Sequence, residues 1–505
     1  MSTGHPPPGR PVPPIAIEAA PAEVGIRLGG ARVEPPPGFS DRLAEACAEV
    51  RTDEGTCVEA GRDWWPLAIG WALDGRVPAR PWAVVRPQST SEVSGVVRLC
   101  SGAGVPLTAA GGRSGVCGAS IPVHGGVVLD LTALSGIVDV DAVSLTAEVR
   151  AGTFGEPLEE ELRTTHGLTL GHWPQSIALS TVGGWLACRS AGQLSTRYGK
   201  IEDMVVGLEV VLADGRVIHT GGAPRAAVGP DLTQLFVGSE GTLGVITSAR
   251  LRLHPAPEAE QRSAWSFATF ADGLDACRRV LQRGATPAVL RLYDATEAAR
   301  SYGTDDRHVL LVMDEGDPEI VDATMAVVLR ECASTPGAEP LDDELVERWL
   351  AHRNDVSALE ALTRRGIVVD TMEVAAPWSA LGRIYERGVA AILSVEHAVA
   401  ASAHQSHSYT DGACLYFSFA GRPPAEGREA FYVQAWDAAT RVVLDEGGAL
   451  SHHHGVGLNR SRFVRDALGP AFDTLAAVKA ALDPAGVLNP GKLGLPSPFG
   501  EVDWP

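Results

Sequence analysis

Eight cysteines, Cys47, Cys57, Cys100, Cys117, Cys188, Cys277, Cys332 and Cys414, are scattered along the chain, and no two of them form C-x-x-C. That argues against a zinc ribbon or a disulfide framework and fits a reducing compartment, so a cytoplasmic protein is expected. Positive charge is scarce: 42 Lys and Arg face 62 Asp and Glu, a formal net charge of −20, with no basic block. Nucleic acid and anionic membrane surfaces are therefore poor partners, because phosphates would be repelled globally, although a local Arg can still bind one phosphate. No apolar run reaches the length that crosses a bilayer. The opening "MSTGHPPPGRPVPP" lacks the charged-then-apolar layout of a signal peptide, and residues 1–20 read as a flexible Pro-rich arm. No internal repeat is visible, and no G-x-G-x-x-G opens a helix, which disfavours a Rossmann nucleotide site.

Length is plentiful. At 505 residues the chain exceeds one core, and 45% hydrophobic content can fill two or three lobes. After an N-terminal segment over 21–75, a β-α-β unit is predicted: strand Ala83–Val85, a helix, and strand Val105–Ala109. Ser89 and Glu92 have capping-box spacing, and Val93, Val96, Val97 and Cys100 form the helix's apolar stripe. "GVVLDL", "AEVRAG", "VVGLEVVLADGRVIHT" and "GVITSARLRLHP" add strands, completing an α+β domain over 76–255. "HPAPEAEQ" reads as a linker. From 256 to 448, helices such as "FADGLDACRRVLQRG" alternate with strands such as "HVLLVMDE" and "ACLYFSFAG", as in a second α+β lobe. A last segment, 449–505, carries three histidines and the amphipathic helix of "AFDTLAAVKAALDPAGVLNPGK".

"AAGGRSGVCG" packs four glycines into Ala109–Gly118 after a strand, and such a loop can aim N–H groups at a pyrophosphate, though a plain turn reads the same way. "GHWPQSIALSTVGGW", "RSAGQLSTRYGKIEDMV" and "GSEGTLGVIT" repeat the Gly/Ser/Thr-rich character in the same domain. Four such loops suit a long polar cofactor threaded between strands. His452, His453 and His454 stand in a row before Gly455 and Gly457. On a strand at most two of them could converge, so zinc is disfavoured and no metal is expected. On a glycine-bounded turn they could shuttle protons near neutral pH; a solvated run is the plainer alternative. Tyr409 in "SHSYTDGACLYF" would need a neighbouring cation to lower its pKa of about 10 before serving as a base.

These segments resemble, in order and spacing, the vanillyl-alcohol-oxidase type of FAD-binding fold. They look most like the alkyldihydroxyacetonephosphate synthases and their bacterial relatives, through "STVGGW", "YGKIEDMVV", "GSEGTLGVIT", "SYTDGACLYF" and "SHHHGVG". The resemblance implies an α+β fold in which a PCMH-type FAD-binding domain carries a cap domain and the C-terminal segment returns to the FAD domain. It implies FAD contacts from Ala109, Ala110, Gly111, Gly112, Arg113, Ser114 and Gly115, and from Gln175, Ser176, Ser180 and Thr181. Further contacts would come from Cys188, Arg189, Ser190 and Ala191, and from Glu240, Gly241, Thr242, Leu243, Gly244, Val245 and Ile246. Gln175 stands where the family has an Asp. The first loop has no histidine to tether the flavin, so FAD is expected to be non-covalent.

By the same resemblance Tyr409 accepts and donates a proton together with His452, His453 and His454, and Arg291 in "AVLRLYD" is tied to activity; a strand salt bridge is the plainer reading of that arginine. The synthases hold the substrate phosphate with an arginine that an ungapped reading back from Trp378 replaces by Leu359. Arg353, Arg364 or Arg365 takes its place if the loop is shifted. The implied reaction exchanges an acyl group for a long-chain alcohol through a flavin N5 adduct, forming an ether lipid precursor. The alternative is an FAD-dependent dehydrogenase or oxidase of a 2-hydroxy acid or other alcohol. Metal-assisted enzymes of that kind carry G-H-x-G-D-G-N-x-H and E-H-G, which this chain lacks. A small-molecule or lipid-like substrate, peripheral membrane contact to reach it, and a homodimer complete the expectations.

Overall fold

In the computed structural model, which describes residues 13–29 and 32–504, the β-α-β unit consists of strand Ala83–Val85, helix Thr90–Ala103 and strand Leu107–Ala110. The Ser89 hydroxyl accepts from the Glu92 N–H at 3.2 Å. Glu92 does not close a capping box. Its carboxylate accepts from the Gln88 N–H at 2.6 Å and the Ala48 N–H at 3.2 Å, fastening an earlier segment to the helix start. Val93, Val96, Val97 and Cys100 are fully buried on the expected face. The second strand begins later than Val105 because that N–H closes the helix on the Cys100 carbonyl and Pro106 has none to give.

Those strands belong to a four-stranded sheet ordered Val50–Arg51, Ala83–Val85, Val127–Asp130, Leu107–Ala110, the last three parallel. A five-stranded antiparallel sheet follows in the order Val217–Gly221, Val205–Val211, Val245–Arg252, Thr146–Arg150, Ile137–Asp141. The second lobe is built on a seven-stranded antiparallel sheet: Glu339–Leu341, Ala259–Phe267, His308–Gly316, Val289–Tyr293, Ala398–Ser408, Gly412–Gly421, Val368–Pro377. Helices Phe270–Gln282, Pro318–Ala333, Trp378–Leu393 and Arg428–Asp445 bury apolar stripes in this lobe. "HPAPEAEQ" is not a loose linker. His254–Pro255 pairs with Leu168–Thr169, and Ala259 already lies in the cap sheet, so the backbone groups of this polar stretch are taken up by pairing.

Both ends of the chain bind the lobes together. The expected flexible arm is corrected from residue 13 onward, while residues 1–12 lie outside the described residues. Ile15 is fully buried against Ile69 and Ala72, and the Glu18 N–H bonds the Ala72 carbonyl at 2.9 Å. The next segment reaches the cap: Trp65 Nε1 donates to the Tyr432 hydroxyl at 2.9 Å and Trp71 Nε1 to Glu429 at 2.7 Å. The C-terminal segment leaves the cap through an Ala449 to Ala375 bond of 2.7 Å and then pairs with the first domain, Leu107 N–H to Val487 carbonyl and Asn489 N–H to Leu107 carbonyl, each 2.8 Å. Among the described residues no helix is long and apolar enough to cross a membrane.

Because Ile15 fills a closed apolar site, Ile15→Ala should cost about 2–4 kcal/mol in equilibrium denaturation. A loss under about 0.5 kcal/mol, the range of ordinary surface substitutions, would mean the segment is only laid on the surface.

Candidate functional site

The loops of the first domain and the face of the cap sheet enclose a cavity of about 1150 Å³. Its first wall is the expected glycine loop, Ala109 through Gly115, facing Gln175, Ser176, Ser180 and Thr181. Cys188, Ser190, Ala191, Glu240, Gly241, Gly244, Val245 and Ile246 continue that wall. Three expected contacts do not line it. Arg189 turns to Glu202 at 3.5 Å, the Thr242 hydroxyl bonds the Ser239 carbonyl at 2.7 Å, and Leu243 packs into the core beneath. Two of the loops touch at Gly112, where a Cβ would sit 1.8 Å from the Leu179 carbonyl oxygen. Trp64, Ser120 and Gln193 line the cavity, and their Nε1, Oγ and Oε1 atoms are buried with no hydrogen-bond partner among the described residues. A groove of backbone N–H groups, hydroxyls and orphaned polar atoms fits a dinucleotide, whose length and polarity would satisfy them.

The three histidines lie on a bend, not a strand, so a carboxylate rather than strand alternation sorts them. Glu373, on cap strand Val368–Pro377, sits fully buried beneath the bend. It accepts from the N–H groups of His452, His453 (3.3 Å) and His454 (2.8 Å), from Ser451 Oγ at 2.8 Å, and from Arg460 Nη1 at 2.8 Å. Burial alone would raise the pKa of Glu373, but Arg460, fully buried beside it, and the loop's N–H groups bring it down to about 2. From the other side Lys200 Nζ donates to the His452 carbonyl at 2.5 Å. Glu240 accepts from the N–H groups of Val456 at 2.5 Å and Gly457 at 2.9 Å. Gly457 has φ of 54°, and a Cβ there would meet the Cys117 carbonyl at 2.1 Å, so only glycine ends this loop.

The bend divides the run. His453 and His454 line the cavity, whereas His452 lies behind its wall. Tyr409 also lies behind the wall: its hydroxyl meets His452 Nε2 at 2.9 Å, and His452 Nδ1 meets His453 Nδ1 at 2.9 Å. The tyrosine on the wall is Tyr416, whose hydroxyl is 3.4 Å from His454 Nε2 and accepts from Thr371 Oγ1 at 3.2 Å. Sequence reasoning missed His407. It sits at a register shift between Ser406 and Ser408, with φ of 50°, and the bulge turns it onto the cavity wall beside His404. One ring nitrogen each of His407, His452 and His453 lies within 4.8 Å of the others, a spacing that could hold a metal ion, although His452 uses both of its nitrogens in the contacts above. Burial holds all four imidazoles neutral, with His407 pushed down to about 3, His454 to about 4, and His452 and His453 well below the usual range.

Four arginines line the cavity, Arg113 and Arg300 near carboxylates and Arg291 and Arg353 without one among the described residues. Arg291 donates to Tyr293 at 2.7 Å and to His404 Nε2 at 2.5 Å, which leaves the His404 Nδ1 proton for Glu297 at 3.2 Å. No carboxylate pairs with Arg291 directly among the described residues, so the plain strand salt bridge is not what is found. Arg353 lines the cavity stacked over Trp349 at 5.5 Å and Trp173 at 5.9 Å, without a salt bridge among the described residues. Arg291 lies over the same Trp349 at 5.8 Å. Arg364 and Arg365 are exposed, Arg364 being spent on Glu18 and Glu360, while Leu359 lines the cavity and packs against the Ile15 cluster.

Residues 81–221 match the FAD binding domain model, and residues 256–493 match the C-terminal domain of FAD linked oxidases. A protein of Escherichia coli O157:H7 named "Uncharacterized FAD-linked oxidoreductase YgcU" is 34% identical over 82% of this chain and 89% of its own length. The chain belongs to the FAD-linked oxidase family. The Dictyostelium discoideum alkyldihydroxyacetonephosphate synthase is 29% identical over 96% of this chain and 85% of its own. A solved alkyldihydroxyacetonephosphate synthase structure, 24% identical, superposes with a TM-score of 0.77 over 97% of this chain and 89% of that one. This chain is therefore an FAD-dependent flavoenzyme with the vanillyl-alcohol-oxidase type of FAD-binding fold.

The neutral imidazoles set the acid response of the fold. An unfolded histidine takes up a proton near pH 6.5, whereas His454 and His407 do so only near 4 and 3, so stability should fall as pH drops across that window by about 1.4 kcal/mol per pH unit for each such group. Glu373, protonated near 4.3 when unfolded and near 2 when folded, extends the loss further down. Denaturation at a series of pH values should show His407→Asn lowering the slope between pH 6 and 4.5 by close to one proton. An unchanged slope would mean that His407 is already solvated.

Proposed function

We propose that this flavoenzyme exchanges an acyl group for a long-chain alcohol on an anionic substrate, in the manner of the alkyldihydroxyacetonephosphate synthases that it resembles. In such a reaction a carboxylate leaves, an alkoxide enters, and the product is an ether with no net redox change. The observation that carries this reading is the cavity wall itself. Two guanidinium groups, Arg291 and Arg353, which make no salt bridge among the described residues, share the wall with neutral, hydrogen-bonded imidazoles and a tyrosine, beside an apolar stretch of Leu359, Leu362, Ile367, Val369 and Phe419. The guanidinium groups suit an anionic head, the apolar stretch suits an alkyl chain, and neutral imidazoles can take up and return a proton. Bound FAD, held without a covalent tether, supplies an electrophilic ring that accepts an electron pair.

The second reading, net oxidation of a hydroxy acid or other alcohol, is favoured by the oxidoreductase name of the 34% identical relative. Anaerobic mixing of the yellow enzyme with candidate substrates separates the two. Bleaching that reverses on adding a fatty alcohol, with ether formed, supports exchange. Bleaching that reverses only with an electron acceptor overturns it in favour of dehydrogenation.

Arg353 takes the anion-binding role that the ungapped alignment denied to Leu359, because of the three arginines nearby it alone lines the cavity. A bidentate guanidinium contact contributes on the order of 1.5–3 kcal/mol. Arg353→Leu should therefore weaken binding of a phosphorylated acyl substrate roughly tenfold to a hundredfold and leave an unphosphorylated analogue unchanged. Equal losses for both analogues would assign Arg353 to the shape of the pocket instead.

A further inference from the structure

One side of the apolar stretch is closed by a single short helix. Helix Ser357–Arg364 brings Leu359 and Leu362 to the cavity, while Ala361 and Arg364 are exposed, so the wall is one helix thick here. Among the described side chains of this helix none is buried. The helix before it, Glu344–His352, is different: Val346 and Trp349 lie in the core, and Arg353 follows directly, stacked on Trp349. The anion-binding end of this segment is therefore fixed, and the apolar end is not. Beyond the helix, Gly366 has φ of 75° and turns the chain into strand Val368–Pro377, a conformation that glycine adopts without strain.

What holds the helix is the N-terminal arm. Leu359 packs against the cluster of Ile15, Ile69 and Ala72, which Ile17 also joins, and Arg364 pairs with Glu18 at 2.6 Å. The arm is fastened in turn to the first domain: the Ile15 carbonyl accepts from buried Arg62 Nη1 at 2.7 Å, and the Glu18 N–H bonds the Ala72 carbonyl at 2.9 Å. A helix with so few buried apolar contacts opens at a small fraction of the free energy that unfolds the core. Its shut state is therefore set by the few side chains of the arm that it meets.

We propose that helix Ser357–Arg364 is a lid over the apolar part of the cavity, and that the arm, through Ile15 and Glu18, is the latch that keeps it shut, so that an alkyl chain enters and leaves when the latch lets go. Arg353 stays in place on Trp349 while the lid moves, so an anionic head remains held as the chain end is exchanged. A bound chain contacts Leu359 and Leu362 only when the lid is shut, so chain binding and arm docking favour each other. The identity of the ligand as an alkyl chain rests on the exchange reading; the latch itself does not.

Two measurements on the full-length, FAD-loaded enzyme test the latch. Ile15→Ala leaves a void behind the lid and should raise amide hydrogen exchange across residues 359–366 about tenfold or more, with helix Glu344–His352 at the parental rate. Glu18→Ala, an exposed change that leaves the core intact, should raise the same exchange roughly twofold to fivefold. Stopped-flow mixing with decan-1-ol, followed by flavin absorbance, should show a parental association rate that levels off with concentration at the rate of lid opening. In Ile15→Ala that plateau should rise about tenfold, and Ile15→Val should fall between. Inorganic phosphate, which meets the fixed end, should bind parent and variants alike. Parental exchange over 359–366 in both Ile15→Ala and Glu18→Ala overturns the latch, as does an equal rise in Glu344–His352, which would mean general loosening. A parent that does not bind decan-1-ol at all overturns the alkyl reading instead, and hydrogen exchange still decides the latch.

Discussion

The site depends on one buried ion pair. Glu373 and Arg460 are both fully excluded from water, which costs several kcal/mol per charge unless their contacts offset it; among the described residues Arg460 Nε and Nη2 have no hydrogen-bond partner, and the guanidinium lies over the Trp436 ring. Glu373 finds its partners in the histidine bend: three consecutive backbone N–H groups, a serine hydroxyl and the guanidinium converge on two oxygens. Five donors on one carboxylate leave the bend little freedom. The pair is thus as much a positioning device as a stabilising one, because any loop conformation that moved a histidine backbone would leave a buried negative charge short of a donor.

Around that anchor the side chains are chosen to stay neutral. Lys200 and Arg460 close by, and mutual repulsion within the cluster, add to the burial that keeps His452, His453 and His454 unprotonated. A neutral imidazole has one donor and one acceptor, which chains of hydrogen bonds require, whereas an imidazolium has two donors and would break them. Two of the fixed positive charges on the wall, Arg291, which is bonded to His404, and Arg353, lie over a shared indole and can meet an anion without protonation of any imidazole.

What could be read from the residues alone follows from how local each signal is. The glycine loops, the helix from Thr90 and its buried stripe were legible because turn chemistry and helical periodicity act over a few positions. The pairing of Tyr409 with the histidine run was legible only as a grouping. Which of them faces the cavity depends on the Glu373 bend, and Glu373 sits in "DTMEVAAP" with nothing nearby to mark it as an anchor. His407 was hidden by a strand bulge that simple alternation does not reveal. Arg353 was legible only as one of three arginines near Leu359, since loop length does not tell which of them lines the cavity. The arm failed for the opposite reason: its prolines suggested an extended free chain, while a single apolar side chain, Ile15, was enough to dock its end.

The histidine bend is held at one end by Glu373 of the cap and at the other by Glu240 of the cofactor loop, residues that precede it by 81 and 217 positions. The bend is therefore a late addition to a growing polypeptide. Both carboxylates emerge from the ribosome well before the donors that neutralise them, and contacts of such long separation are slow to form. A nascent or truncated chain can possess the glycine loops and the cap sheet and still have two unsatisfied acidic groups where the chemistry belongs, so the reactive cluster is assembled only when the two lobes are already able to meet. A flavin bound to an incomplete chain would face a cavity without its histidine wall.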